Sequence, residues 1–340
     1  MKVLSLFDGV SGAMLALDLL RIKVDRYYAS EINEKAISVS KRNWPDIEHV
    51  GDVSKLRGDD PRFADIDLIV AGSPCTNLSI AGNGLGLKGE QSKLFFEFTR
   101  LVREIRPKNF LLENVASMKK EHSELMTKLV TELMEECYPD RELFFRKESS
   151  ADYSAQARNR LYWCTVNPWD HMGSDKLKNK VVADILEPEV DERFYLNTGQ
   201  EITASKKYES GNWSSKALPM KIFDIGKGRQ GERIYSKYGK SVTVTAGGGG
   251  PGGKTGLYMV SGDYGNVSAD EVMKHCRRLT PIEAERLQHV PDDYTKYGHD
   301  GTKMSMADRY EMMGNGFTVS VISWWLRRLR EEHDTIKKSS

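Results

Sequence analysis

Cys75 lies in Ser73-Pro74-Cys75-Thr76-Asn77-Leu78-Ser79, a polar, loop-forming run that follows the apolar stretch Ile66 to Ala71. A cysteine is most often a small buried hydrophobe. Loop flanks, and a proline that stiffens the backbone just before the thiol, favour a nucleophile at the carboxyl edge of a sheet, where doubly wound folds bind ligands. Two further groups can share that edge. Glu113, in Glu113-Asn114-Val115, ends another apolar strand, and Arg158 and Arg160, in Gln156-Ala157-Arg158-Asn159-Arg160, precede the run Leu161 to Val166. If the sheet is parallel there, a thiol, a carboxylate and two guanidinium groups converge, a set suited to covalent attack with proton donation and charge stabilisation. A salt bridge between Glu113 and an arginine is the plain structural alternative. The Gly-rich run Ile80 to Gln91 reads as a mobile lid beside Cys75.

The elements that must position these groups follow a crossover pattern. Over the first 165 residues short β-rich runs alternate with amphipathic helical stretches, as expected of a mainly parallel sheet. Val3 to Phe7, Tyr27 to Glu31, Glu48 to Gly51, Ile66 to Ala71, Phe110 to Glu113, Leu143 to Lys147 and Leu161 to Val166 read as strands. Gly12 to Ile22, Glu34 to Asn43, Leu94 to Ile105 and Ser123 to Glu136 read as helices. Phe7-Asp8-Gly9-Val10-Ser11-Gly12 links the first strand to its helix, so backbone amides can approach a ligand at the helix N-terminus. Glu31, about 20 residues beyond, stands where a ribose-hydroxyl acceptor would, although an exposed strand-end carboxylate fits as well. From Leu279 helical signals return, with Thr280-Pro281-Ile282-Glu283 a capped start and Val319 to Leu329 an apolar helix.

The 340 residues carry a formal net charge of +1, and the length suggests two lobes. Composition is that of a globular protein and excludes a disordered tail or a fibre. Cys75, Cys137, Cys164 and Cys276 form no CxxC pair, so neither a disulfide framework nor a zinc site is expected. No run approaches a membrane span, which predicts a soluble intracellular protein. From about Leu196 to Tyr258 the chain is rich in Gly, Ser, Thr and Lys, and between Asn197 and Ser241 nine Lys+Arg face four Asp+Glu, a basic lobe within a neutral total. Thr245 to Gly253 contains a glycine run that is either a flexible surface loop or a close backbone approach to a ligand.

In order and spacing the motifs resemble those of the DNA (cytosine-5)-methyltransferase family, from Val3 to Ile322. The matching pieces are Phe7 to Gly12, Glu31, Gly51-Asp52-Val53, Pro74-Cys75, Glu113-Asn114-Val115, Gln156 to Arg160, Arg278-Leu279-Thr280-Pro281 and Gly314-Asn315-Gly316. Two departures stand out. Thr76 follows the Pro-Cys pair where the family usually has Gln, and the first motif reads Phe-Asp-Gly-Val-Ser-Gly instead of the commoner Phe-Ala-Gly-x-Gly-Gly.

The resemblance implies an α/β, doubly wound, mainly parallel sheet of the S-adenosylmethionine-dependent methyltransferase fold with a smaller β-rich recognition domain. A catalytic and cofactor-binding domain is expected over 1–189, a target-recognition domain over 190–275, and a C-terminal segment over 276–340 that returns to the catalytic domain. It implies methyl transfer from S-adenosyl-L-methionine to carbon 5 of a flipped-out cytosine in duplex DNA, with Cys75 adding to carbon 6, Glu113 bonding the base at N3, and Arg158 and Arg160 anchoring the base oxygen and a phosphate. For the cofactor it assigns Phe7 to the adenine, Gly9, Ser11 and Gly12 to the methionine end, and Glu31 to the ribose. Asp52 is assigned to the adenine amine, with Ile32 and Val53 walling the ring; Pro74 and Leu94 line the donor pocket, and Asn315 closes it. Gln230 matches a side chain that fills the gap left by the flipped base, Arg233 a reader of guanine, and Thr243 a recognition-lobe threonine. The rivals are a tRNA cytosine methyltransferase, whose Cys-Phe-Thr tripeptide is absent, and a catalytically silent DNA-binding homologue, which intact Cys75, Glu113 and Arg158 oppose. The compact chain suggests a monomer in the cytoplasm of a bacterial cell or phage-infected host, with or without a cognate restriction endonuclease.

Overall fold

The computed structural model describes residues 1–73, 93–168, 180–211, 214–262, 264 and 268–339. Short apolar runs whose successive side chains point to opposite faces build its larger sheet. The strands are β1 (Lys2–Leu6), β2 (Arg26–Ser30), β3 (Glu48–His49), β4 (Leu68–Gly72), β5 (Asn109–Val115), β6 (Phe144–Ser149) and β7 (Asn159–Cys164), in the order β3-β2-β1-β4-β5-β7-β6. Both faces are covered, which is why the central strands read as almost continuous apolar runs. Val3, Leu68, Val70 and Leu111 enter one core, while Leu4, Leu6, Ile69, Ala71, Phe110 and Leu112 enter the other. Helices α1 (Gly12–Leu19) and α2 (Glu34–Asn43) cover the first face, and α3 (Lys93–Ile105) and α4 (Lys120–Cys137) the second. The expected third strand shrinks to two residues at the sheet edge.

A second sheet lies later in the chain. It comprises β8 (Ile202–Ala204), β9 (Lys221–Ile225), β10 (Arg233–Ser236), β11 (Leu257–Met259) and β12 (Cys276–Arg278), with short helices α5 (Lys206–Glu209) and α6 (Ala269–His275) beside it. Ile222, Phe223, Ile225, Ile234, Leu257 and Met259 give it its own core. The chain then returns through α7 (Pro281–Leu287), α8 (Met306–Asn315) and α9 (Val319–Ser339), and Ile322, Trp325, Leu326 and Leu329 pack in the same core as Val3 and Val70. Thr280 caps α7 as the sequence predicts, accepting the Glu283 amide at 3.2 Å with Pro281 in the first turn.

The glycine run lies at the surface over residues 247–250. It packs backbone to backbone against the turn before β10: Gly252 donates to the Gly231 carbonyl at 2.9 Å, and a Cβ at Gly231 would lie 2.0 Å from the Gly249 oxygen. Residues ahead of it stitch the sheets together, with Ser241 donating to Ala155 at 2.7 Å and Ala157 to Ser241 at 2.9 Å.

Candidate active site

Strand β1 runs into a turn in which Phe7 (φ 59°), Gly9 (φ 59°) and Ser11 (φ 64°) are all left-handed. The turn is fastened to the end of β2 by Glu31. Its Oε2 accepts the Gly9 amide at 2.8 Å and its Oε1 accepts the amides of Ile32 and Asn33 at 2.8 and 2.9 Å. A carboxylate has about four acceptor positions, so Oε2 retains one for a hydroxyl. Ile32 is 72% exposed, an apolar side chain offered to a ring. Asp52, after β3, accepts Ser54 N and Oγ on Oδ1, and these bonds hold its carboxyl below the usual range, while Oδ2 lies 3.9 Å from Lys55 Nζ. Val53 is buried in the apolar cluster on which Phe7 and Leu94 pack, so it backs the site instead of walling it openly. Phe7, Gly9 and Gly12 line a pocket, partly open to solvent, whose far side is Val290, Met313, exposed Asn315 and Phe317. Two carboxylates with remaining acceptor capacity, two apolar side chains and a turn of backbone amides fit the adenosine and methionine ends of S-adenosylmethionine.

Next to this pocket, Glu113 accepts Arg160 Nε at 2.7 Å, with the two side chains 12% and 13% exposed. The pair meets because β7 runs antiparallel to β5, placing Val115 opposite Arg160 and Glu113 opposite Tyr162. This corrects the parallel geometry expected from sequence, in which residues that precede a strand would lie at the opposite edge. Asn114, the next residue, donates Nδ2 to Ser73 Oγ at 2.7 Å and so fixes the chain one residue before Pro74-Cys75. Pro74 and Cys75 themselves lie outside the described residues. Gly72 keeps the space between pocket and carboxylate open: a Cβ there would lie 2.7 Å from Phe317 Cε1 and 3.6 Å from Glu113 Oε2. Phe317 was not legible as a site residue, although it directly follows the Gly314-Asn315-Gly316 motif.

Comparison with known proteins gives this geometry a family. The family model described as C-5 cytosine-specific DNA methylase matches residues 1–331. The type II methyltransferase M.HhaI of Haemophilus parahaemolyticus is 28% identical over 95% of this chain and 92% of its own length. M1.ScrFI of Lactococcus lactis subsp. cremoris is 29% identical over 99% and 80%. Among solved structures, the S. pombe Dnmt2 methyltransferase superposes with a TM-score of 0.67 at 18% identity, covering 98% of this chain and 99% of that one, which supports the fold. The chain belongs to the C-5 cytosine-specific DNA methylase family. Its activity is methylation of carbon 5 of cytosine in DNA, and the family is S-adenosylmethionine-dependent. No helix among the described residues is long and apolar enough to cross a membrane.

Other assigned residues of this methylase take different roles. Arg158, expected beside the base, is 4% exposed and donates to the carbonyls of Val244 (3.1 Å), Gly314 (2.9 Å) and Gly316 (3.0 Å). A guanidinium so committed braces the site wall and does not grip a base. It lies one residue ahead of β7, outside the pleat that turns Arg160 toward Glu113. Thr243 donates its hydroxyl to Ala157 O at 2.9 Å and so tethers the lobes. Gln230 opens a single helical turn, Gln230–Glu232, before β10, and Arg233 spends Nε on Gly228 O at 3.0 Å. The basic lobe is also less basic than its composition. Lys240 is wholly buried on the carbonyls of Ser154 and Lys180, Lys221 pairs with Asp224, and Lys237 donates to Val260 O.

Proposed function

We propose that Cys75 is the nucleophile that adds to carbon 6 of a flipped cytosine, that Glu113 donates a proton to N3 as sulfur adds, and that Arg160 orients Glu113 and the base oxygen. The observation that carries this reading is the Glu113–Arg160 pair beside Ser73, two residues short of the thiol. Protonation at N3 neutralises the charge that attack at carbon 6 pushes into the ring, and leaves carbon 5 nucleophilic. S-adenosyl-L-methionine supplies an electrophilic methyl group on its sulfonium. Loss of the carbon-5 proton then expels the thiolate. Phe7, Ile32, Glu31 and Asp52 hold the adenosine in this reading, with Gly9, Gly12 and Asn315 around the methionine end and Pro74 and Leu94 at the methyl, while Ser11, assigned to the methionine end by the resemblance, is fully buried and supports the turn from behind.

The substrate is duplex DNA held against the second sheet, the recognition lobe of 190–275, with Gln230 entering the gap and Arg233 reading a base through its terminal nitrogens. Its buried β12 belongs to the same sheet, so the lobe ends a few residues beyond 275. A monomer in a bacterial or phage-infected cytoplasm, alone or beside a restriction endonuclease, completes the reading. Tritiated methyl donor offered with duplex DNA or tRNA tests it. Label should enter DNA and vanish with Cys75→Ser; label in RNA alone, or transfer untouched by that substitution, would overturn the reading. DNA carrying 5-fluorocytosine should give a denaturation-resistant adduct, because fluorine cannot leave as the proton does.

A further inference from the structure

Ser11 occupies a backbone conformation that favours glycine, at φ 64° and ψ 43°, and three residues before it Asp8 is 3% exposed. These two positions are the departures from the commoner first motif, and they bond to each other: Ser11 Oγ donates to Asp8 Oδ2 at 2.6 Å. Tyr27 OH, on β2, donates to Oδ1 at 2.6 Å. Because the single Ser11 proton goes to Asp8, the 2.6 Å contact between Ser11 and Ser40 must have Ser40 as donor, and His49 Nε2 then donates toward Ser40 at 3.3 Å. Every donor in the chain points at the Asp8 carboxylate.

We propose that Asp8 is a positioning residue of the cofactor site: through Ser11 and Tyr27 its ionised carboxylate holds the Phe7–Ser11 turn in the shape that receives S-adenosylmethionine. The inference rests on the cofactor reading above. Asp8 also lines the pocket, and Tyr294 pins the same turn by donating to Val10 O at 2.8 Å. A protonated Asp8 turns one acceptor oxygen into a donor, so the bond on that side must either reverse its direction or break. Burial raises its pKa to about 6, against the lowering effect of the Ser11, Ser5 and Tyr27 hydroxyls. The titratable groups facing it are Tyr27 and Glu31 from β2 and its end, Tyr294 from the segment after α7, and His49 of β3 through Ser40 of α2. Burial keeps both tyrosines neutral by raising their pKa values and lowers that of His49, which leaves Asp8 to gain a proton as pH falls through about 6.

Equilibrium binding of S-adenosylmethionine and of S-adenosylhomocysteine to the full chain, by calorimetry from pH 5.5 to 8, tests the assignment. Asp8→Ala should raise Kd for both ligands about tenfold at pH 7.5, the worth of a charged hydrogen bond. Adding Ser11→Gly should restore most of that affinity, since glycine adopts the turn without a clamp. Tyr27→Phe removes a bond that lowers the Asp8 pKa, so the pH midpoint of binding should move upward. Wild-type affinity in Asp8→Ala, no rescue by Ser11→Gly in a variant of unchanged thermal midpoint, or an unmoved midpoint in Tyr27→Phe would each overturn it. So would a loss confined to the sulfonium ligand, which would mean direct charge attraction. If Asp8→Ala fails to fold, the Tyr27→Phe midpoint decides. A wild type that binds neither ligand would instead strike the cofactor reading itself.

Discussion

Arg160 and Glu113, the pair proposed for catalysis, share an Nε–Oε1 bond of 2.7 Å in a mostly enclosed place. Arg160→Ala should lower kcat by about a hundredfold or more while leaving cofactor affinity unchanged, since a lost preorganised donor acts on the transition state. Steady-state kinetics beside ligand titration separates the two effects. Asp8 carries the clearest pH dependence. Its pKa of about 6 exceeds the ordinary carboxyl value of 3.8, so the folded chain binds more protons than the unfolded one between those values and stability falls as pH rises through that window. The span corresponds to about 3 kcal/mol above pH 6, an upper measure of what the buried charge costs. Asp8→Asn should flatten that slope in urea denaturation at pH 5 and pH 8. Glu113 and Arg160 stood out in the sequence because charges that flank apolar runs, Glu113 after one and Arg160 before another, are conspicuous. Arg158 was legible as a residue and not as a role, because its partners are carbonyls some 86 and 156 residues away that leave no mark on local sequence.

At the scale of elements, α7 begins the C-terminal segment whose Met313, Asn315 and Phe317 line the pocket beside the β1 turn. Its N-terminal Glu283 is wholly buried, accepts both terminal nitrogens of Arg277 at 2.6 and 2.7 Å, and receives the amides of Thr280 at 2.8 Å and Glu187 at 2.7 Å. Glu283→Ala leaves a buried guanidinium without its carboxylate, and should cost about 3–5 kcal/mol of unfolding free energy. Chemical denaturation checks this, and a loss below 1 kcal/mol would show the pair to be dispensable. The capping box could be read directly from Thr280-Pro281-Ile282-Glu283, because its spacing is local. Its arginine partner sits on β12 in the other sheet, and no periodicity records that pairing. The direction of β7 escaped notice for a related reason. A strand covered on both faces shows the same apolar run whichever way it points.

For the molecule as a whole, the sequence separates two lobes and a basic stretch, while the fold decides how much of that charge can meet a phosphate. Of the nine cations between Asn197 and Ser241, Lys240 is sealed between the lobes with its pKa lowered by burial to about 8, Lys221 is paired, and Lys237 and Arg233 are partly spent on carbonyls. Among the described side chains Lys206, Lys216, Lys227 and Arg229 are exposed, and that of Lys207 lies outside them. Nine phosphate contacts would give a slope of log K against log salt of about −8, whereas four from this lobe give about −4. Titration of duplex binding between 50 and 200 mM salt distinguishes the two. Replacing Lys227 and Arg229 together by alanine should bring the slope about two units closer to zero, weakening all sequences alike. Lys240→Met should leave the slope where it was, since a cation with no access to solvent releases no counterion from DNA. A slope near −8, or one that moves with Lys240→Met, would mean that the lobes part when DNA binds and that the buried lysine joins the interface.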